Sequence, residues 1–435
     1  ASLLREIGIA SILKQSSLAR RSVGFARYFV LLHFVYMLVM HKRQSSFLKQ
    51  SSDAFGKDVY YRFLRERRFN WRKLLMLSTI KLIQKVEALH RDDEQRLLII
   101  DDTVEPKRGK QIEGSCQYVR SNKEHRSING LNVVSLNYAD SHSTFQLDFA
   151  LRMNESRRKE LADFSQGLHH RSNAFKRRQE GLRGKNILAL EMVERALNSG
   201  VVADYLPVDS WYAKPEFICK ARTTGIDVIA RLPNNPKIWH FKGRHKTLQS
   251  LYEHHQKSRY KHTGHHGKIR YRYFDMVVEH HQLSKVKLVF LHTGKELLIF
   301  ISTNLALSGK QVIETYKKRW NIEQGYKDLR EHFGLGQEEN RIYEALIARI
   351  TISMFTYNLV STINRLNHEP QTLGELFRDL ECELEALAIS MQLFLEILTK
   401  LSEVDAIVKE NTNLIQIIAL LRVYTQKELG FMCES

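Results

Sequence analysis

The fold class of this chain follows from the stretch LLIIDDT, residues 97–103. Four aliphatic residues form an apolar run of the length of a buried strand, and we expect the strand to end at Asp101 and Asp102. Side chains alternate along a strand, so only one of these two aspartates can point at a given site. The stretch therefore predicts a core strand that carries one carboxylate to a functional site.

Further elements are predicted on the C-terminal side of this strand. They are strands at 131–140, 144–151, 205–209 and 226–232, and helices at 186–197 and 215–223. This order, β-β-β-α-β-α-β, predicts an α/β fold with a mixed sheet flanked by helices. The strand at 205–209 ends at Asp209, and strand ends in an open α/β sheet are where the side chains of a site converge.

The charge of the chain indicates a polyanionic partner. It has 435 residues with 67 Lys+Arg against 48 Asp+Glu, a net charge of +19, and 43% hydrophobic residues, which is the composition of a folded protein. Residues 1–90 hold 17 Lys/Arg and 5 Asp/Glu, whereas residues 372–435 hold 5 and 11. The most apolar stretch, residues 28–40, is too short to span a bilayer, so we expect nucleic acid and no membrane.

The four cysteines lie far apart without a CxxC pair, which is typical of a reducing compartment. The N-terminal residues show no secretory pattern. We therefore expect a cytoplasmic protein.

Three carboxylate positions are candidates for one site: Asp101 or Asp102, Asp209, and Glu323 on a charged helix predicted from 311 to about 332. Three carboxylates held together are costly unless hard cations such as Mg²⁺ or Mn²⁺ neutralise them. Two such ions can activate a nucleophile and stabilise the leaving oxygen of a phosphodiester. For Asp209, a purely local role as a helix cap is the alternative.

Three motifs make the chain resemble the DDE transposases of the insertion-sequence-4 family, which are bacterial cut-and-paste enzymes with an RNase H-like core. The motifs are a strand leading into Asp-Thr at 102–103, a strand ending in Asp209, and the helix pattern Y-(2)-R-(3)-E at Tyr316, Arg319 and Glu323. The third motif is the specific one, and the resemblance covers about residues 96–336. The family has Lys with six residues between it and the glutamate, a position that Arg330 occupies in this chain, and Lys327 lies one turn earlier.

The resemblance implies a site and its ligands. Asp102, Asp209 and Glu323 would be catalytic and would hold two Mg²⁺ or Mn²⁺ ions, with Asp101 as the alternative to Asp102. Contacts to DNA would come from the remaining motif residues and from nearby cations and an aromatic ring: Tyr316, Arg319, Arg330, Lys327, Lys107, Arg108, Lys110 and Trp239.

Trp239 is the candidate for stacking on an extruded base, because such enzymes cut through a hairpin intermediate that requires unstacking. Tyr271 and Tyr273 are rival candidates. In the alternative interpretation, Trp239 packs the core of its own subdomain.

The resemblance also implies five segments: a helical, basic DNA-binding domain (1–90), the first part of an RNase H-like catalytic core (91–233), a β-rich insertion (234–308), the Glu-bearing helix of the core (309–340) and a helical C-terminal region (341–435).

We expect a transposase that cleaves transposon ends and joins them to target DNA, acting as a homodimer on double-stranded DNA in the bacterial nucleoid. Two alternatives are a catalytically silent DNA-binding relative, such as an inhibitor or domesticated protein, and an RNase H-like nuclease without strand transfer.

Overall fold

The structure is a computed structural model. It describes residues 2–17, 27–46, 56–91, 94–109, 111–121, 126–154, 165–233, 239, 241–244, 247–259, 262–266, 269–367, 371–380 and 382–383. The chain divides into two compact units. The helical unit comprises Ala1–Leu74, Gln111–Glu113 and Asp328–Ser435, and the sheet unit comprises Leu75–Lys110 and Gly114–Lys327.

The helices, in chain order, are α1 (Ser2–Glu6), α2 (Ile9–Gln15), α3 (Arg27–Val39), α4 (Lys57–Leu64), α5 (Trp71–Glu87), α6 (Asn173–Gly181), α7 (Lys185–Asn198), α8 (Pro215–Thr223), α9 (Leu248–Arg259), α10 (Gly309–Lys317), α11 (Trp320–Glu331) and α12 (Tyr343–Leu366). The strands are β1 (Leu97–Pro106), β2 (Cys116–Ser121), β3 (Arg126–Ala139), β4 (Thr144–Arg152), β5 (Tyr205–Val208), β6 (Asp227–Arg231), β7 (His262–His266), β8 (Ile269–His280), β9 (Ser284–His292) and β10 (Leu297–Ser302).

The helical unit is built around α12, which packs against α3 and α4. The Glu113 carboxylate accepts the main-chain N–H of Tyr343 at 2.9 Å and so satisfies one of the free donors at the start of α12. Within α12, the buried hydroxyls of Thr351, Thr356 and Thr362 each bond the carbonyl four residues earlier. In the described part of the chain, α12 alone is long and apolar enough to cross a membrane, and 94% of its apolar window is buried within the protein.

The sheet unit contains a single mixed sheet in the order β2-β3-β1-β5-β6-β10-β9-β8-β7, with β4 paired to β3. The β1–β5 and β5–β6 pairs are parallel, and the other pairs are antiparallel. This mixed sheet with flanking helices confirms the predicted α/β class and is consistent with an RNase H-like fold.

The strands of the predicted insertion extend this sheet. β10 pairs with β6 over Phe300–Arg231, Ile301–Ala230 and Ser302–Ile229, so β7 to β10 continue the sheet that begins with the core strands. The five segment boundaries remain predictions.

Helix α10 lies on this extended part of the sheet, where it packs against β5, β6, β8, β9 and β10. Val312 and Ile313 of α10 share a buried cluster with Ile229 and Phe300, and Tyr316 packs at its edge. A capping box formed by Ser308 and Gln311 starts the helix.

The single helix predicted from 311 to about 332 is wrong, because the chain forms α10 and α11 with a turn at residues 318–319. At the turn the main-chain bonds close over three residues: the N–H of Lys318 bonds Thr315 O at 3.2 Å, and that of Arg319 bonds Tyr316 O at 3.0 Å. This tighter winding is the 3₁₀ geometry common at helix ends.

Candidate active site

Strand β1 places the two adjacent aspartates in the interior of the sheet. The prediction that the strand stops at the aspartates is wrong: β1 continues to Pro106 and pairs with β3 along its whole length. The strand continues because β3 supplies a pairing partner for each residue, with Asp101 opposite Ser135 and Asp102 opposite Val134.

The register of β1 with β5 relates Asp101 to Asp209. These strands are parallel, and Leu97 lies opposite Tyr205. Continuing this register by four residues places Asp101 level with Asp209, and both positions keep the same side-chain direction because four is an even number of steps. Asp102 is one residue out of step with this pair.

Arg319 joins two of the candidate carboxylates. Its Nη1 donates to Asp101 Oδ2 at 3.1 Å, and its Nη2 donates to Glu323 Oε1 at 2.5 Å. The side chains of Arg319 and Asp101 are 15% and 19% exposed, so the pair is largely shielded from water. The turn before α11 and the first turn of α11 thus connect to β1 through a guanidinium fork, a geometry suited to carboxylates.

Tyr326 fixes α11 to the same point of β1. Its hydroxyl donates to the main-chain carbonyl of Asp101 at 2.9 Å and lies 2.7 Å from the hydroxyl of Ser135. Because Ser135 faces Asp101 across the β1–β3 pair, these bonds hold the helix that bears Glu323 beside the aspartate.

The electrostatics of the site disfavour negative charge. The pKa of Asp101 is raised to about 7, chiefly by burial and also by the Asp209 and Asp102 carboxylates, although Arg319 and a hydrogen bond from the main-chain N–H of Asp102 act in the opposite direction. Burial also raises the pKa of Asp209, whereas the main-chain N–H groups of Tyr212 and Trp211 and the Arg319 guanidinium act in the opposite direction. Raised pKa values of neighbouring carboxyl groups are a frequent property of functional sites.

Asp209 also makes the local contacts expected of a capping residue. Its Oδ1 accepts the main-chain N–H groups of Trp211 at 3.0 Å and Tyr212 at 3.2 Å. Asp209 therefore acts as a local capping residue and also lies near the other candidate carboxylates.

Asp102 has a different partner, since its Oδ2 lies 2.5 Å from Nζ of Lys185, the first residue of α7. The Lys185 ammonium is also 5.1 Å from the centre of the Trp211 ring, and that of Lys214 is 5.3 Å from it. The Trp211 side chain is 45% exposed. An accessible aromatic ring between two cations thus lies next to Asp209.

The other residues of the third motif occupy different environments. Tyr316 is half-buried against Phe300, with the Arg319 guanidinium 5.9 Å from its ring. Lys327 is exposed and Arg330 is half-buried, both on α11.

Of the predicted cations after the first carboxylate, Lys107 is half-buried and Arg108 is exposed. Lys110 lies outside the described residues. The roles of these residues in DNA contact remain predictions.

Trp239 is fully buried, with ring centres 6.4 Å from Phe241 and 5.3 Å from His280. This is the packing arrangement of the alternative interpretation, and stacking on a base would require the ring to leave it. The rival candidates Tyr271 and Tyr273 are also buried, at 6% and 8% exposure.

Sequence reasoning missed three residues of the site: Lys185, Tyr326 and Trp211. Lys185 precedes the predicted helix at 186–197, and no spacing connects it to Asp102. Tyr326 follows Glu323 by three residues, so the i,i+3 rule places it near the same helix face and was an available signal. Trp211 is two residues after Asp209, where its indole was a visible candidate for base stacking.

The side chains of the site bear on whether it can hold a metal ion. In the described ranges, no three His, Cys, Asp or Glu side chains are grouped so as to hold one ion. Mg²⁺, however, is commonly held by only one or two carboxylates together with water and substrate phosphates. Asp101 and Asp209 offer such a pair of hard oxygen donors, and their raised pKa values mark a place where a cation would relieve the cost of negative charge.

Comparison with known proteins identifies the family of the chain. A search of curated proteins finds no match. A family model described as DDE superfamily endonuclease matches residues 26–270, which is more than half of the 435 residues and includes Asp101, Asp102 and Asp209. The matched span ends before Arg319 and Glu323, whose place in the site follows from their bonds to Asp101 and to each other. The chain belongs to the DDE superfamily endonuclease family.

Proposed function

We propose that this endonuclease is a DNA transposase of the insertion-sequence-4 type, which cleaves the ends of a mobile element and joins them to target DNA. DDE endonucleases act on DNA and typically use divalent metal ions, so a nuclease or transposase activity follows from the family. The observation that carries the finer proposal is the Arg319 guanidinium, which bonds Asp101 and Glu323 beside Asp209.

The proposed catalytic carboxylates are those of Asp101, Asp209 and Glu323, with Asp102 as the alternative to Asp101. The register with Asp209 and the bond to Arg319 favour Asp101, whereas the bond of Asp102 to Lys185 favours a supporting role for that residue. Arg319 would hold the two carboxylates close to each other and oriented. Its guanidinium is also suited to bind a phosphate oxygen of the substrate.

Asp101 and Asp209 would hold one Mg²⁺ or Mn²⁺ ion, and the resemblance implies a second ion with Glu323 as a further ligand. When bound, such ions activate a water or a 3′-hydroxyl and stabilise the leaving oxygen of a phosphodiester. The exposed Trp211, between Lys185 and Lys214, is available beside Asp209 to contact a base or sugar next to the scissile phosphate. We further propose that strand transfer proceeds through a hairpin, that the protein acts as a homodimer on paired ends, and that it is located in the bacterial cytoplasm.

The proposal is tested with Glu323→Gln. The full-length protein is incubated with Mg²⁺ and a labelled duplex that carries the inverted repeats flanking its own gene, and the products are separated on a denaturing gel. We expect wild-type protein to nick the duplex at the repeat and then to form a hairpin. Glu323→Gln should bind the duplex with unchanged affinity and give no nick, because one ligand oxygen and the partner of Arg319 are altered.

Glu314→Gln is the matched control, since Glu314 is an exposed carboxylate on α10 that pairs only weakly, with Lys310 at 3.8 Å. It should nick at the wild-type rate. Nicking by Glu323→Gln at the control rate would contradict the assignment. Nicks without a hairpin would indicate a nuclease without strand transfer, and binding without any product from the wild type would indicate a silent relative.

A further inference from the structure

The helical unit contains a cleft of about 430 Å³ whose walls are dominated by arginine. It is formed by the end of α4, the segment between α4 and α5, and the first residue of α3. The lining residues are Arg27, Arg62, Phe63, Arg65, Glu66, Arg67 and Arg68. Five guanidinium groups therefore surround a space that contains one carboxylate.

That carboxylate is engaged within the cleft wall. Glu66 Oε2 accepts Nη2 of Arg27 at 3.1 Å, and Glu66 Oε1 accepts the main-chain N–H of Arg68 at 3.2 Å. Both oxygens of Glu66 thus serve to fix the turn and the start of α3. Arg62, Arg65 and Arg67 also line the cleft and supply positive charge for an anionic ligand.

Two of these arginines are held in place by α4 itself. Arg62 Nε donates to the main-chain carbonyl of Asp58 at 3.3 Å, and the Arg65 guanidinium lies 5.5 Å from the centre of the Tyr61 ring. Positions 62 and 65 are three residues apart, so both side chains project from one face of the helix end. A guanidinium has five N–H donors, and the contact of Arg62 uses one of them.

Arg67 extends the positive surface toward solvent. Its side chain is 65% exposed, and its Nε lies 3.8 Å from Oε1 of Glu344, a long contact for an ion pair. The cleft therefore combines oriented arginines at the wall with an exposed arginine at the rim. Guanidinium groups bind phosphate through paired N–H donors, whereas a lysine ammonium offers only a point charge.

We propose that this cleft binds backbone phosphates of duplex DNA. The proposal rests on the proposed DNA substrate, but it assigns the contact to the helical unit and does not depend on cleavage. Phosphate contacts of this kind fix the position of a protein on DNA without reading the sequence. Arg62 and Arg65 would make the wall contacts, and Arg67 would make the rim contact.

The test is a double variant of the full-length protein, Arg62→Ala with Arg65→Ala, whose binding to a labelled 30-base-pair duplex is measured by fluorescence anisotropy at several salt concentrations. Each lost phosphate contact lowers the slope of log affinity against log salt by about 0.9. We expect the double variant to lower that slope by about 1 to 2 and to bind roughly tenfold more weakly near 150 mM salt.

Arg5→Ala with Arg43→Ala is the matched control, because both arginines are exposed in the helical unit and neither lines the cleft. It removes the same charge and should keep the wild-type slope. The proposal would be overturned if the control and the cleft variant lost the same affinity and salt slope. It would also be overturned if the cleft variant kept the wild-type slope. Thermal unfolding of each variant checks that the fold is retained.

Arg62→Lys with Arg65→Lys gives a second measurement that keeps the charge. It should retain most of the salt slope but bind more weakly than wild type, because the paired donors are lost. Calorimetry with inorganic tripolyphosphate tests whether the cleft binds a small free phosphate compound instead of the phosphates of DNA. Tight tripolyphosphate binding that the Ala variant abolishes, with DNA binding unchanged, would assign the cleft to a small anion and overturn the DNA assignment.

The cleft and the active site can fail separately. The cleft variants should nick the repeat-bearing duplex normally at saturating protein, since Asp101, Asp209 and Glu323 are unaltered. If the wild type nicks DNA and the cleft variant binds DNA with wild-type affinity and salt slope, only the cleft proposal is refuted. Loss of nicking in Glu323→Gln would in turn stand whatever the cleft variants show.

Discussion

Arg319 is the single side chain on which the geometry of the candidate site depends most. It lies in the turn between α10 and α11, and its two terminal nitrogens contact carboxylates from β1 and α11. A largely buried cation between two carboxylates keeps them close in spite of their mutual repulsion. The cost is that neither carboxylate can move without losing this partner.

We predict that Arg319→Lys lowers the rate of nicking by about 100-fold or more, because an ammonium cannot keep both contacts in the fork geometry and displacements of about 1 Å are that costly in active sites. The rate is measured in single-turnover assays on the repeat-bearing duplex. Lys318→Arg serves as the control at the neighbouring position. A rate for Arg319→Lys within about threefold of wild type would show that the fork does not position the carboxylates.

His33 makes the stability of the helical unit dependent on pH. It is buried on α3, with Nδ1 2.5 Å from the Tyr60 hydroxyl, and burial lowers its pKa from 6.5 to about 4. The unfolded chain therefore binds a proton at higher pH than the folded chain does. The contribution of neutral His33 to the free energy of unfolding is fully present above pH 6.5. It is lost as the pH falls toward 4, by about 3 kcal/mol in total.

This decline is measured by chemical denaturation at several pH values on wild type and on His33→Leu. The difference between the two proteins isolates the histidine from the carboxyl groups that also titrate in acid. Parallel pH curves for the two proteins would show that His33 does not carry the effect.

The residues of the site show where sequence reasoning ends. Alternation along the strand established that Asp101 and Asp102 face different directions, but only the alignment of β1 with β5 relates one of them to Asp209. The salt bridge between Lys185 and Asp102 joins residues 83 positions apart, and no local pattern encodes it.

At the scale of elements, the break between α10 and α11 is the feature that the sequence concealed. Residues 311–332 are rich in charged side chains and contain no Pro and no Gly before position 325, so the pattern predicted a continuous helix. The structure interrupts it because Tyr316 packs on the sheet while Arg319 bonds both Asp101 and Glu323. Tertiary contacts thus override local helix propensity.

We predict that Tyr326→Phe lowers the free energy of unfolding by about 1–3 kcal/mol, because the buried Ser135 hydroxyl and the Asp101 carbonyl lose a shared partner. The measurement is urea denaturation. Tyr28→Phe, which removes a hydroxyl outside the sheet unit, should change the free energy by less than about 0.5 kcal/mol. Equal values for the two variants would mean that the Tyr326 hydroxyl does not fix α11.

At the scale of the whole molecule, the net charge of +19 has a measurable consequence. Cations that neutralise phosphates release counterions, so binding weakens steeply with salt. We predict that the affinity of Glu323→Gln for duplex DNA of arbitrary sequence falls by about 10³ to 10⁵ between 50 and 200 mM salt, as for proteins that contact roughly six to ten phosphates. Titrations by anisotropy measure it, and a fall of less than about tenfold would indicate far fewer contacts.

The fold class was predictable because the core strands are short apolar runs with clear ends, as in 205–209 and 226–232. The continuity of the sheet was not, since the β6–β10 pair joins residues about 70 positions apart, from Ile229–Ser302 to Arg231–Phe300. Pairing at such separation depends on the whole chain and leaves no local signature.

The β6–β10 pair also sets a limit on how this protein can be shortened. Val228, Ile229 and Ala230 are fully buried, and β6 is covered on one side by β10. Excising the segment between β6 and α10 would turn β6 into an open, apolar edge with unpaired main-chain groups, which is a template for intermolecular strand addition. We therefore expect a trimmed version to precipitate unless a new strand or charged residues covered that edge, so β10 protects the sheet from aggregation as well as extending it.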